Sequence, residues 1–122
     1  MDHGINAIED DRLVVRLREN DIALTACPTW RPIDTVPRRV DRIKIMVERG
    51  LKVTLNTDDP GLFASATMGN MLPPVAASGG FDAAAMAWFM INAFDAAWLP
   101  RARRDAYIAR VKAYADEHKV GI

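Results

Sequence analysis

Gly50-Leu-Lys-Val-Thr-Leu-Asn-Thr-Asp-Asp-Pro60 is the stretch on which the fold turns. Its first half, Leu51 to Leu55, has the alternation and β-branching of a strand. Asp58 and Asp59 therefore arrive where a strand ends and a loop begins. Pro60 stops the strand, because it has no N–H to give to a ladder. In α/β barrels and open α/β sheets, the carboxyl ends of strands hold ligands and metals. Asx residues also start turns and cap helices, so the pair taken alone leaves a structural reading open.

Outward from this strand the elements alternate. Before it, Pro37 to Arg49 carries Val40, Ile43, Met46 and Val47 at helical spacing, with Val36 just ahead of them, and Gly50 suits a C-terminal cap. Pro28 to Pro37 holds three prolines and reads as a loop. Ile22 to Cys27 reads as a second buried strand, closed by Pro28. Upstream, Glu9, Asp10 and Asp11 supply a cap and first-turn acids for a short helix to about Glu19 that buries Leu13, Val14 and Leu17. Met1 to Asn6 shows no period of its own. After the Asp-Asp strand, Gly61 to Gly80 is weakly patterned, with Pro73-Pro74 expected to break it and Gly79-Gly80 to end it. Asp82 then caps a helix with a core face of Met86, Phe89, Met90, Ala93, Phe94 and Ala97. Pro100 opens a last helix to about His118, with Ile108, Val111 and Ala115 inward. Strands alternating with helices predict parallel pairing. Two strands make a very small sheet with unpaired edges, so the pattern reads as part of something larger.

With 122 residues the chain is one domain's worth at most. Lysine plus arginine and aspartate plus glutamate both total 16, so no long-range field points to nucleic acid or to an anionic membrane. Arg101, Arg103 and Arg104 beside Asp105 read as a solvated helix start. A single cysteine, Cys27, rules out an intrachain disulfide framework and fits a reducing compartment. No apolar run approaches the ~20 residues of a membrane span, and a cytoplasmic location is expected.

Three sites carry residues with chemistry: His3-Gly4 near the N-terminus, and Cys27-Pro28 and Asn56-Thr-Asp-Asp-Pro60 at the two strand ends. A lone histidine near a terminus is often only solvated, and Cys27 reads as a buried thiol rather than a nucleophile. Their order and spacing together resemble the last third of the adenosine and adenine deaminase family. That family is a metal-dependent (β/α)8 barrel with His-Gly after its sixth strand, Cys-Pro after the seventh and Asn-Thr/Ser-Asp-Asp-Pro after the eighth. The matching stretches here are Asp2-His-Gly-Ile5 with Ile8-Glu-Asp10, Thr25-Ala-Cys-Pro28 and Gly50 to Pro60. Asn92-Ala-Phe94 and Ala97-Trp-Leu-Pro100 look like the family's closing helix and its Pro-led successor. Asp2 before His-Gly looks more like adenine deaminases than adenosine deaminases.

The resemblance implies an α/β fold: the C-terminal portion of a TIM-type barrel, about two parallel strands plus five helices, not closable by this chain alone. It implies a zinc cofactor and a purine base or nucleoside as substrate, with hydrolytic deamination releasing ammonia. It makes His3 the histidine that orients and helps activate the attacking water, Asp58 the carboxylate zinc ligand, and Asp59 and Gly4 substrate-binding residues. The other zinc deaminase design, with His-x-Glu and Pro-Cys-x-x-Cys, is excluded by the single cysteine. Several family parts do not occur in these residues: His-x-His after the first strand, the histidine after the fifth, and the proton-donating glutamate. Thr29-Trp-Arg31 stands where the family follows Cys-Pro with a residue and then Ser-Asn, Asp41-Arg42 where it often has His-Pro, and the chargeless Ala64 to Ala77 where it has an acidic helix. The expectation is a chain that is inactive by itself. Its partners would be a missing N-terminal half or, as a non-catalytic half-barrel, further copies of itself, with the apolar Gly61 to Gly80 stretch as interface.

Overall fold

The computed structural model describes residues 1–28, 36–62 and 67–122, with the backbone alone at 36–38. Thr29, Trp30 and Arg31, with most of the predicted Pro28–Pro37 loop, lie outside the described residues, as do residues 63–66. The elements are a 3-10 turn Ala7–Glu9, then α1 (Asp11–Glu19), β1 (Leu24–Ala26), α2 (Val36–Glu48), β2 (Val53–Leu55), α3 (Met68–Gly79), α4 (Ala83–Ala96) and α5 (Arg101–Glu117).

The two strands pair in parallel, Leu24 with Val53, Thr25 with Thr54 and Ala26 with Leu55. Both are shorter than the sequence reading, and Ile22 is exposed rather than part of β1. The N-terminal residues, which have no period of their own, nevertheless extend the ladder. Asp2 forms a parallel bridge with Thr25, the Thr25 N–H donates to the Met1 carbonyl at 3.0 Å, and the His3 N–H donates to the Thr25 carbonyl at 3.2 Å. Three chain segments thus run side by side in one direction, with β1 between the other two.

The core forms where the helices cover these strands. Val14 and Leu17 of α1, Leu24 and Ala26 of β1, Val40, Ile43 and Met46 of α2, and all of β2 are buried. Leu13 and Val47, expected inside, are about two-fifths exposed, because each lies at the margin of its helix's apolar stripe. Asp10 caps α1 as predicted, accepting from the Arg12 and Leu13 N–H groups. Gly50 closes α2 at φ +72°, a left-handed conformation that L side chains avoid.

One expectation is corrected. Pro73 and Pro74 do not break the stretch after β2: α3 runs straight through both. An internal proline costs about 3 kcal/mol through the lost N–H and a clash with the preceding turn. Here that cost is offset at both ends and along one face. Thr67 and Asn70 form a reciprocal capping box, with the Thr67 N–H donating to Asn70 Oδ1 at 2.7 Å. Met71 and Val75 are buried in a helix that packs on α2. Met71 and Val75 of the apolar stretch expected as an interface thus belong to the chain's own core, whereas Leu62 and Met68 are exposed.

The face of α4 also differs from the periodic reading. Phe89 is buried, Met86 and Phe94 are half-buried, Met90 is exposed, and Ile91 is buried without having been expected. The cause is that α4 packs between β2 and α5, so burial spreads around the helix. Phe81 meets Phe89 edge to face, and Phe94 stacks on Tyr107 of α5 at 4.9 Å. Along α5, Ala115 is buried while Ile108 and Val111 are half-buried. At the predicted helix start Arg101 and Arg103 are exposed as expected, with Arg101 paired to Asp105 one turn on, but Arg104 is half-buried and donates to the Asp95 carbonyl of α4. Among the described residues, no helix is long and apolar enough to cross a membrane.

Candidate metal and substrate site

Parallel strands deliver their C-terminal ends to one side, and the three marked strand ends meet there. One ligand atom each from His3, Cys27 and Asp58 lies within 4.8 Å of the other two. His3 Nε2 is 4.0 Å from Asp58 Oδ2. The register explains the meeting. His3 follows the Asp2 bridge, Cys27 follows β1, and Asp58 stands three residues beyond β2. The ladder continues past β2, where the Asn56 N–H donates to the Ala26 carbonyl at 2.9 Å. Asn56 Nδ2 also donates to the buried Thr54 hydroxyl at 2.7 Å, which stiffens the strand end that presents Asp58.

His3 and Asp58 both have positive φ, 54° and 63°. Asparagine, aspartate and histidine tolerate this region best among residues with a side chain, yet it remains uncommon. Outliers of this kind cluster where surrounding structure holds a functional group in place. Gly4, at φ +68°, has a packing reason as well: a Cβ there would lie 2.5 Å from Leu24 Cδ2 in the core. Its carbonyl accepts from the Ala7 N–H at 2.9 Å and starts the 3-10 turn.

Cys27, a buried thiol by its sequence context, is buried. Burial, reinforced by the negative charge of Asp58, pushes its pKa up to about 11 despite a backbone hydrogen bond from Asp58 and the charge of Arg39. The group is a thiol at neutral pH and a poor nucleophile. What the sequence reading did not assign is its place beside His3 and Asp58. The only signal was the Cys-Pro step at a strand end. Arg39 Nη1 fixes this residue by donating to the Cys27 carbonyl at 2.9 Å.

Asp59 does not join the group. Its Oδ1 accepts from the Gly61 and Leu62 N–H groups at 2.9 and 3.1 Å, an Asx turn that shapes the loop after β2. Arg42, one of the residues that depart from the family pattern, ties α2 to the N-terminal segment. Its guanidinium donates to the Ile5 carbonyl, Asn6 Oδ1 and Glu9 Oε1. His118 lies at the exposed end of α5, stacked on Tyr114 and apart from the group.

A family model described as adenosine deaminase matches residues 1–114. The chain belongs to the adenosine deaminase family. Within it, adenine deaminase of Rhodospirillum rubrum is 36% identical over 117 residues, covering 93% of this chain and 34% of that protein. Adenine deaminase of Caulobacter vibrioides is 36% identical over 120 residues, covering 97% and 35%. Among solved structures, a zinc-bound amidohydrolase from Burkholderia ambifaria is 28% identical with a TM-score of 0.79, over 95% of this chain and 33% of that one. An adenine deaminase from Arthrobacter aurescens, 24% identical with a TM-score of 0.76, shares the fold over 94% of this chain and 36% of its own. The chain thus spans about a third of the length of the relatives it matches, and its α/β fold is that of a partial TIM-type barrel. Its donors fit the metal of the zinc-bound relative, since imidazole nitrogen, carboxylate oxygen and thiolate sulfur are all zinc ligands.

Proposed function

We propose that these residues form one wall of a purine deaminase site, which hydrolyses an exocyclic amine and releases ammonia. The observation that carries the reading is the convergence of His3, Cys27 and Asp58 at the C-terminal ends of three parallel segments. That is where barrel enzymes do their chemistry. Asp58 would hold zinc. When bound, the ion supplies a lower pKa for its water and a positive charge near the reacting carbon. His3, half-exposed and 4.0 Å from Asp58, would orient that water and take its proton. Asp59 keeps one carboxylate oxygen in the turn, so its contact with a purine ring falls to Oδ2. Gly4 would meet the ring through its backbone alone, since the direction a Cβ would take is filled by Leu24.

Zinc catalysis needs about three protein ligands and an open position. These 122 residues lack the family's His-x-His, its further histidine and its glutamate, so by themselves they are inactive. The test is ammonia release from adenine and adenosine with stoichiometric zinc. None is expected from the chain alone, and measurable turnover would overturn that part. Adding a separately produced segment that carries the missing residues should restore release. Asp58→Asn should then abolish it; restored activity that survives this change would remove Asp58 from the metal.

A second reading, a half-barrel that associates with itself, is favoured by exposed apolar side chains around α4. Trp98 is fully exposed and Trp88 and Met90 are about half exposed, and Met90 lines an apolar groove of about 760 Å³ between α4 and α5. A monodisperse monomer in analytical ultracentrifugation would count against it.

A further inference from the structure

We infer that Cys27 gives this chain a cation site of its own, in which His3, Cys27 and Asp58 together bind a soft divalent ion such as zinc or cobalt(II). This goes beyond the deaminase reading, in which the thiol has no role and His3 handles water. It rests only on the placement of the three donors.

Their ligand atoms lie within 4.8 Å of one another. Metal–ligand bonds of about 2.0–2.3 Å at tetrahedral angles put neighbouring donors roughly 3.3–3.8 Å apart. The widest pair therefore has to close by about 1 Å. The side chains free to do so are the exposed ones, since those of His3 and Asp58 are 49% and 28% accessible. Cys27 is the fixed donor: it is 7% exposed, and its carbonyl is anchored by Arg39. Its Sγ donates to the Thr25 carbonyl at 3.4 Å, a contact that coordination would replace, and accepts a hydrogen bond from the Asp58 backbone, which a metal-bound thiolate can keep. On binding, the S–H bond breaks, the proton passes to solvent buffer, and a sulfur lone pair is donated to the ion. Nothing is oxidised or reduced.

One thiolate, one imidazole and one carboxylate select zinc or cobalt over magnesium or calcium, which take oxygen donors. The fourth position is left to water. With His3 used as a ligand, it is unavailable for proton transfer, so this loaded state and the catalytic use of His3 exclude each other.

The test is titration of the reduced chain with cobalt(II), followed by absorption. Cys27 is the single cysteine, so any thiolate-to-cobalt charge-transfer band in the near ultraviolet reports on it alone. The expected result is one equivalent of uptake with that band and with visible bands of four-coordinate intensity. Zinc should displace the cobalt and magnesium should not. Cys27→Ser should lose the near-ultraviolet band while keeping the far-ultraviolet circular dichroism of the parent. His3→Gln and Asp58→Asn should each weaken uptake by more than the ~10–100-fold that loss of an outer-sphere partner costs. Absence of uptake by the parent chain, or uptake without the charge-transfer band, overturns the inference whatever the variants do. The readout is separate from ammonia release, so failure of complementation leaves the band in place, and absence of the band leaves the deaminase reading in place.

Discussion

Lys52 precedes β2 and holds together the end of the sheet opposite the candidate site, and replacing it with methionine tests how that end is stabilised. Its ammonium donates to Asp21, beyond α1, and to Asp95 of α4 at 2.6 Å, while Arg104 of α5 lies 3.8 Å from the same Asp95. Methionine keeps most of the apolar stem and removes the charge. The Asp21 carboxylate is 73% exposed, so its share is a surface pair's, about 0–1 kcal/mol. The Asp95 carboxylate is 42% exposed and Lys52 only 19%. A charge-assisted bond of about 1.5–3 kcal/mol, discounted for that exposure, leaves about 1 kcal/mol. Lys52→Met should therefore cost about 1–2 kcal/mol in urea unfolding followed by circular dichroism at pH 7.

The pH dependence is the sharper arm. The hydrogen bond from Lys52 holds the Asp95 carboxyl below its ordinary 3.8, outweighing partial burial. For Lys52 itself, burial pulls the pKa down, but the bonds to Asp21 and Asp95 outweigh it and leave the group above 10.5. The stability from Asp95 is thus present above about pH 4 and is lost as pH falls through its depressed folded value. The share from Lys52 is present below 10.5 and is lost as pH rises through its elevated folded value. The difference between parent and Lys52→Met should be full at pH 7 and shrink in acid as Asp95 protonates. A variant as stable as the parent at pH 7 would refute the role of the network, as would an equal loss at pH 7 and in strong acid.

Two further changes probe the core and the strand end. Met46→Ala removes a completely buried side chain of α2 and should cost about 2–5 kcal/mol in the same urea experiment. A loss below 1 kcal/mol would mean that α2 does not seal the core as described. Gly4→Ala forces a side chain into a left-handed backbone and against Leu24. Strain of about 1–2 kcal/mol and overpacking of about 1–3 kcal/mol give an expected loss of about 2–5 kcal/mol. A neutral result would show that the N-terminal segment is not docked on β1.

What could be read without coordinates was encoded among near neighbours. Asp10 and Asp82 mark helix starts because a short acidic side chain reaches an N–H group two or three residues on. Gly50 marks a helix end because of its left-handed φ. Val53-Thr-Leu55 marks a strand by its β-branching and apolar ends. Where two effects compete, local signals failed. Two prolines predict a break in α3, but a capping box and buried Met71 and Val75 prevail. A single apolar stripe was expected for α4, but packing against β2 and α5 buries more than one side.

The sequence by itself determined the order of helices and of the two strands, the strand ends that bear Cys27, Asp58 and Asp59, and the family likeness these carry together with His3. Only the tertiary structure decided which of them meet. Parallel pairing through Asp2, Thr25 and Thr54 brings His3, Cys27 and Asp58 together, although they lie far apart along the chain. Asp59, one bond further on, turns into its own loop instead, because the nearest N–H groups, those of Gly61 and Leu62, are the ones its carboxylate reaches.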